Sequence, residues 1–389
     1  MNIYYISPSV IPSRSANSIH VISMCEALNQ LGHRVFLFAS SEGLIKNKRL
    51  ISDFYGIKSD NITLHLNPTK FKKGIELSIA IYAFYKFIFD KSKNNVPKII
   101  FSRNLYAAVV FGFLFKKNVI YETHSPEYGF RKRLQKWALN SSKIQTVVIS
   151  KALKEIICKF HNHRINNVHI FHDASREYEL PLSEIKRAKQ RNQKLSHNIN
   201  LKEYDKFIGY FGHLYAGRGI EVILGLALKN SKYAFLVYGG NDKEINQYRN
   251  DNKINNLFFL GHIPPNDVHS AMSMMDILLM PYQNSVSVGI SGIDTSRWMS
   301  PMKMFEYMSC GIPIISSDLP VLKEVLRDGF NSLLVKPNDI NDWSDALQRI
   351  SYSPDLSAKL GENAYRDYKE KYTWKIRAKS ILELHNDFK

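Results

Sequence analysis

The sequence predicts an α/β protein built from two Rossmann-like domains that face each other across a cleft. Three observations point there. At 389 residues the chain exceeds what one hydrophobic core usually grows to fill, so two domains are expected. Short apolar runs at 3–6, 35–38, 99–101, 119–121 and 146–149 alternate with helix-like stretches, and the pattern restarts at 207–211, 234–238, 257–260, 277–280, 312–315 and 332–335. Such alternation gives parallel sheets of right-handed crossover units, which bind ligands at the carboxyl ends of their strands. Between the two series, residues 174–206 are polar and basic, with Pro181 followed by Ser183, Glu184, Lys186, Arg187, Lys189 and Arg191. The expected organisation is an N-terminal domain over 1–173, a basic linker over 174–206 that carries a solvated helix, a C-terminal domain over 207–360, and a helical tail over 361–389.

Composition bounds the function. A hydrophobic fraction of 44% with 23% charged residues is that of a globular protein and excludes a disordered chain. Lys and Arg total 53 against 35 Asp and Glu, a net charge of +18 that favours anionic partners. No nucleic-acid-binding motif accompanies this charge, so nucleic acid is not an expected partner. Cys25, Cys158 and Cys310 lie far apart without metal-ligand spacing, which suits free thiols in a reducing compartment. The chain opens on Ile3-Tyr4-Tyr5-Ile6 without the regions of a signal peptide, so a cytoplasmic location is expected.

Two segments carry the chemistry. The run from Ile208 through Gly212-His213-Leu214-Tyr215-Ala216-Gly217-Arg218-Gly219 reads as a strand, a glycine-rich turn and a helix start. Gly212, Gly217 and Gly219 permit close backbone approach, and Arg218 adds positive charge beside exposed N–H groups, which together suit a diphosphate. An ordinary strand-to-helix turn accounts for the glycines alone. In the second, Ser300-Pro301-Met302-Lys303-Met304-Phe305-Glu306, Ser300 is expected as N-cap with Pro301 at the first helical position. The N–H groups of Met302 and Lys303 then point toward an anion, and Glu306, one turn on, is placed to accept from two ribose hydroxyls. A first-turn Glu complementing the helix dipole is the competing account. No divalent-cation carboxylate cluster is evident, so no metal and no cofactor are expected.

These segments, with Gly261 after a strand and Asp276-Ile277-Leu278-Leu279-Met280-Pro281-Tyr282, resemble the retaining glycosyltransferases of family four, which have the GT-B fold. The resemblance spans most of the chain and is densest over 207–340. It implies a nucleotide diphosphate sugar as donor, a UDP-sugar being the first guess. It further implies that Arg218 and Lys303 neutralise the diphosphate, that Glu306 holds the ribose, and that the backbone around His262 and Ile263 borders the base. The family's phosphate loop carries Arg and Lys; here His213 stands at the place of the Arg and Arg218 at that of the Lys. The family's acidic residue eight positions before the Glu corresponds to Trp298, and Asp294 on the preceding loop is the substitute. A capping role in that loop explains Asp294 equally. In this fold the C-terminal tail crosses back to the first domain.

In the first domain, Tyr121-Glu122-Thr123-His124 leaves a strand, so His124 faces the cleft, and the resemblance places it against the donor sugar. The loop 8–18, with Arg14, Ser15 and Asn17, and Arg103 after the strand 99–101 are candidate acceptor contacts; a surface ion pair also explains Arg103. The segment 70–93 joins Lys70, Lys72, Lys73, Lys86, Lys91 and Lys93 to Phe71, Tyr82, Phe84, Tyr85, Phe87, Ile88 and Phe89, and its apolar part is shorter than the roughly 20 residues that span a bilayer. It reads either as an interfacial helix on anionic lipid at the inner face of the membrane, or as a core helix with lysines at its ends. Arg131, Lys132, Arg133, Lys136 and Trp137 would extend the first reading. The expected function is transfer of a sugar to a hydroxyl of a glycan or lipid-linked glycan in cell-surface polysaccharide or glycoconjugate synthesis. The alternatives are a GT-B nucleotide-sugar epimerase or hydrolase, and a catalytically silent GT-B protein that binds membrane or partner.

Overall fold

The structure, a computed structural model, describes residues 1–43, 48–57, 61–68, 74–90, 96–162, 167–178, 183–195, 199–251, 254–287 and 294–388. The chain forms two compact units: Met1–Arg176 with Trp374–Lys389, here unit 1, and Glu177–Thr373, here unit 2.

Among the described residues, unit 1 holds strands β1 (Asn2–Val10), β2 (Arg34–Ser41), β3 (Ile62–Pro68), β4 (Lys98–Ser102), β5 (Val119–Thr123), β6 (Ile144–Val148) and β7 (Val168–Ile170). They form one parallel sheet in the order β3-β2-β1-β4-β5-β6-β7, with Ile3 registered between Val35 and Ile99. Strand order reverses at β1, so the carboxyl ends of β1 and β4 flank the point where such sheets bind ligands. The central strands are β-branched and aromatic because helices cover both faces; Ile3, Tyr5, Ile6, Phe101 and Val119 are fully buried. Strands β3 and β7 were not expected from the sequence. Strand β3 is an edge strand of half-buried residues that include Thr63, His65 and Asn67, and β7 has only three residues.

Unit 2 holds β8 (Lys206–Phe211), β9 (Tyr233–Tyr238), β10 (Leu257–Gly261), β11 (Ile277–Met280), β12 (Ile314–Ser317) and β13 (Leu333–Val335), ordered β10-β9-β8-β11-β12-β13. This is the Rossmann order, with its reversal between β8 and β11. The run expected at 312–315 starts two residues later because Pro313 has no N–H for the ladder. On one face of this sheet Phe235, Val237 and Leu279 pack with Ile223, Leu226 and Trp343.

Two segments, the basic linker and the tail expected to cross back, are organised as follows. The helix Glu184–Leu195 within 174–206 is docked on unit 2 rather than solvated along its length: Arg191 donates through Nε to Met274 O at 3.0 Å, lies 3.2 Å from Asp276 and stacks 4.1 Å over the Phe207 ring. Residues 361–389 are divided. The helix Pro354–Lys371 stays in unit 2, while Trp374–Glu383 belongs to unit 1 and packs on the helix Ala16–Gln30.

The turn that follows β8 is set by two glycines. Gly217 (φ +80°) and Gly219 (φ +82°) lie so close to the strand β11 exit that a Cβ on either would stand 1.9 Å from the carbonyl oxygen of Ser285 or Pro281. Gly219→Ala should therefore destabilise unit 2 by about 2 kcal/mol or more, combining left-handed strain with overpacking. Gly32→Ala has the same strain (φ +84°) but nothing within 4 Å, so thermal unfolding should show a clearly smaller loss for it.

Candidate functional site

In unit 2 the carboxyl ends of β8, β9 and β10 close on glycine backbone. The Gly212 N–H donates to Tyr238 O at 2.9 Å and the Gly239 N–H to Gly261 O at 2.7 Å. A Cβ on Gly239 would stand 2.1 Å from Gly212 O, so side chains are excluded there. The Gly239-Gly240 pair after β9 was the available sequence signal for this contact, and sequence reasoning passed over it.

Two cations meet at this floor. Lys303, on the helix Met302–Ser309, brings Nζ to 2.7 Å from the place of a Gly212 Cβ, 3.9 Å above the Tyr210 ring and 5.3 Å from the Tyr282 ring. Arg218 lies 5.3 Å over the same Tyr282 ring and donates to its hydroxyl at 3.1 Å. Burial, then the Arg218 charge, pushes the Lys303 ammonium well below the ordinary lysine range, against an opposing pull from Glu306. The Nε of Arg218 is buried and makes no hydrogen bond among the described residues. A buried guanidinium N–H without an acceptor, beside a lysine whose charge is disfavoured, is an arrangement that a phosphate completes. Tyr210 and Tyr282, the shared aromatic walls, were not anticipated.

The other donor-side candidates surround this pair. The imidazole of His213 is pushed down by burial, by Arg218 and by Lys303, with a smaller push from His262, and its ring stacks 4.7 Å from Tyr215. His262 is exposed and Ile263 half-buried directly after Gly261 (φ +70°). Ser300 is not the N-cap. Pro301 holds that place, its carbonyl accepting from the Met304 N–H at 2.9 Å, and Ser300 is buried one residue outside. The first N–H groups of the helix, those of Met302 and Lys303, have no acceptor within it. Glu306 is half-buried, and its charge acts on Lys303 and Tyr282, which sets it on the cation side of the helix.

Asp294 holds its own loop. The N–H groups of Val286 and Ser296 both donate to its Oδ1 at 2.9 Å, keeping the carboxyl below its usual range against the opposing effect of burial. Ser291, Gly292 and Ile293 lie outside the described residues.

Unit 1 places His124 and Arg103 together, at the exits of β5 and β4, around a carboxylate that sequence reasoning did not single out. Glu122 is fully enclosed. Its Oε1 lies 2.6 Å from His124 Nε2, 2.8 Å from His20 Nε2 and 3.5 Å from Arg103 Nε, and its Oε2 accepts from Arg377 at 3.1 Å. His20 Nδ1 in turn lies 3.0 Å from Asp173. Burial opposes ionisation of Glu122, but Arg377 and His20 hold its carboxyl well below the carboxylate range. Burial and the Arg103 charge press His124 down to about 4, so at neutral pH it is an uncharged imidazole. Its Nε2 lies 2.6 Å from the Glu122 carboxylate and 3.1 Å from Arg103 Nη2, so a carboxylate and a guanidinium meet at one ring nitrogen. His20, Glu122 and His124 bring ligand atoms within 4.8 Å of one another, a spacing a metal could use, yet Arg377 and Arg103 already supply the positive charge there.

Arg103 is not a surface ion pair: its side chain is 7% exposed and donates to Asn17 O at 3.4 Å. The Ser15 hydroxyl caps the helix Ala16–Gln30, accepting from the Ser18 N–H at 3.3 Å, while Arg14 and Asn17 are exposed.

The His124 environment has a pH signature. A histidine in an unfolded chain titrates near 6.5, and in the folded protein His124 titrates near about 4, so between these values only the unfolded state takes the proton. Stability should fall as pH drops through that window, by on the order of 2 kcal/mol after allowing for partial exposure. Glu122 and Asp173, both depressed, stay charged there and add their own loss only at lower pH. Urea unfolding at pH 7 and pH 5 should show the loss in the wild type and a smaller one in His124→Asn.

Residues 191–367 match the family described as glycosyl transferases group 1. An uncharacterized glycosyltransferase of Methanocaldococcus jannaschii is 25% identical over 198 residues, 50% of this chain, and the match spans about half of that relative (51%). Among solved structures, sucrose-phosphate synthase of Thermosynechococcus elongatus aligns over 99% of this chain and 98% of its own, with a TM-score of 0.72 at 18% identity. HepE of Anabaena, solved with UDP-glucose, aligns over 100% of both chains with a TM-score of 0.70 at 15% identity. Residues 191–367 thus match the group 1 glycosyltransferase model, the chain spans about half the length of the Methanocaldococcus jannaschii relative, and its fold is that of the GT-B structures.

Proposed function

We propose that this chain is a retaining family-four glycosyltransferase that moves a sugar from a nucleotide diphosphate donor to a hydroxyl of a glycan or lipid-linked glycan. The observation that carries the reading is the Arg218 and Lys303 pair at the glycine turn, with the Arg218 Nε buried and unbonded among the described residues. As the bond from the anomeric carbon to the diphosphate breaks, negative charge grows on the leaving oxygen. Arg218, Lys303 and the helix start at Met302 stabilise that charge in place, without reorganisation of solvent. Glu306 holds the ribose hydroxyls. His124 presents an uncharged ring to the sugar, a hydrogen-bonding role rather than a proton-transfer one. The reaction belongs in the cytoplasm, at the inner face of the membrane where the acceptor is lipid-linked.

UDP is the first nucleotide to test; HepE, similar in fold, is solved with UDP-glucose. Calorimetry of UDP, GDP and ADP with the wild type, in buffer containing a chelator, should give binding of one nucleotide. Glu306→Ala and Lys303→Met should each weaken it at least tenfold. No binding of any nucleotide would overturn the donor site and favour the silent protein, the reading that Trp298 supports. Product analysis with and without a glycan acceptor separates transfer from hydrolysis or epimerisation.

The depressed Lys303 gives a second expectation. Diphosphate stabilises the ammonium, so binding draws a proton onto Lys303 wherever the free protein holds it neutral. Affinity should fall as pH rises, with net proton uptake seen by calorimetry in buffers of different ionisation enthalpy. Lys303→Met should remove that uptake.

A further inference from the structure

The helix Ile75–Ile88 is apolar on two sides, and only one of them is used by the fold. Ile79, Ala80 and Ala83 are buried against the sheet of unit 1. On the other side, Leu77, Ile81, Tyr85 and Ile88 recur at helical spacing and stand in solvent with Tyr82 and Phe89, Ile81 being 57% and Phe89 64% exposed. The patch does not end with this helix. Phe115, itself exposed, lies against Phe84 at 4.1 Å, and next to it Leu114 ends the helix Val109–Leu114. Phe113 stacks on Trp137 of the helix Gly129–Asn140 at 5.4 Å, and Trp137 is half-exposed. Three helices therefore share one exposed aromatic and aliphatic face, larger than scattered surface apolar residues require.

Cations stand among these rings. The Lys116 ammonium is 4.9 Å over Phe113 and that of Lys86 is 5.6 Å over Tyr82, while Lys117, Arg133 and Lys136 are exposed on the same elements. The acids of this region are engaged elsewhere: Glu76 and Glu127 with Arg131 at 2.7 and 2.6 Å, Asp90 with Lys98 at 3.2 Å. Lys70, Phe71, Lys72, Lys73, Lys91 and Lys93 lie outside the described residues and carry none of this argument.

We propose that this face of unit 1 docks on the surface of an anionic lipid bilayer. Exposed rings interleaved with lysine and arginine match the two attractions such a surface offers, an apolar acyl boundary and a negative headgroup layer. A second copy of the chain would set these cations against their own images, which opposes self-association through the same face. Spanning is excluded for this helix: 14 residues reach about 21 Å, and among the described residues no helix is long and apolar enough to cross a membrane. The proposal stands apart from the donor reading, because its residues belong to unit 1 and the cation pair to unit 2.

The test is co-sedimentation of the full chain with phosphatidylcholine vesicles, with and without phosphatidylglycerol. The wild type should partition at least tenfold more strongly into the anionic vesicles, less so as salt rises. Combined Ile81→Ser, Tyr85→Ser and Phe89→Ser should abolish partitioning while nucleotide binding and melting temperature are kept. Combined Lys116→Glu and Lys136→Glu, a surface change that tests charge alone, should remove the preference for anionic lipid. A wild type that ignores anionic vesicles, or variants that bind them equally, would overturn the proposal. So would a dimer that the serine variants disperse.

Discussion

Unit 1 is organised around one enclosed charge. A carboxylate taken out of water costs several kcal/mol unless its oxygens are met by positive or donating groups. Glu122 is met on all sides, by His20 from the first helix, by Arg103 and His124 from the exits of neighbouring strands, and by Arg377 from the returning tail. Arg377 is itself fixed by the carbonyls of His172 at 2.8 Å and Phe171 at 3.3 Å, and its plane faces Trp374. Because each partner comes from a different element, the carboxylate sets the positions of all of them. The orientation of the His124 ring follows from that.

The two units share a fold and a switch point but differ in how complete their charges are. Around Glu122, cations and anions are matched within the protein, and the result is a rigid, uncharged imidazole at the edge of the cluster. At the glycine turn of unit 2, Arg218 and Lys303 crowd each other beside tyrosine rings, and Glu306 opposes the push on Lys303. The first arrangement resembles a finished support. The second sets two cationic side chains side by side, with burial and Arg218 disfavouring the charge on Lys303.

Much of this was legible in the sequence, for reasons that can be traced. Strands such as Phe207 to Phe211 are buried on both faces and read as continuous apolar runs, whereas β3, half-buried at a sheet edge, mixes His and Asn into its pattern and reads as loop. Gly217 and Gly219 were legible because backbone crowding at the turn demands glycine there. Glu122 was not, since a glutamate in a strand reads as solvated until its partner is known, and Arg377 stands 255 positions away. Tyr210 and Tyr282 lie in the core, and that they also stand against Lys303 and Arg218 depends on three-dimensional stacking. Ser300 shows the limit of capping rules, where the following proline took the position that the serine was expected to hold.

The return of residues 374–389 to unit 1 has a consequence for synthesis. A ribosome releases the chain from its N-terminus, so all seven strands of the first sheet emerge well before Arg377 does. During that interval Glu122 faces a gap where a guanidinium and an indole will later sit. The nascent first unit must wait, incompletely closed, until the whole of the second has been made.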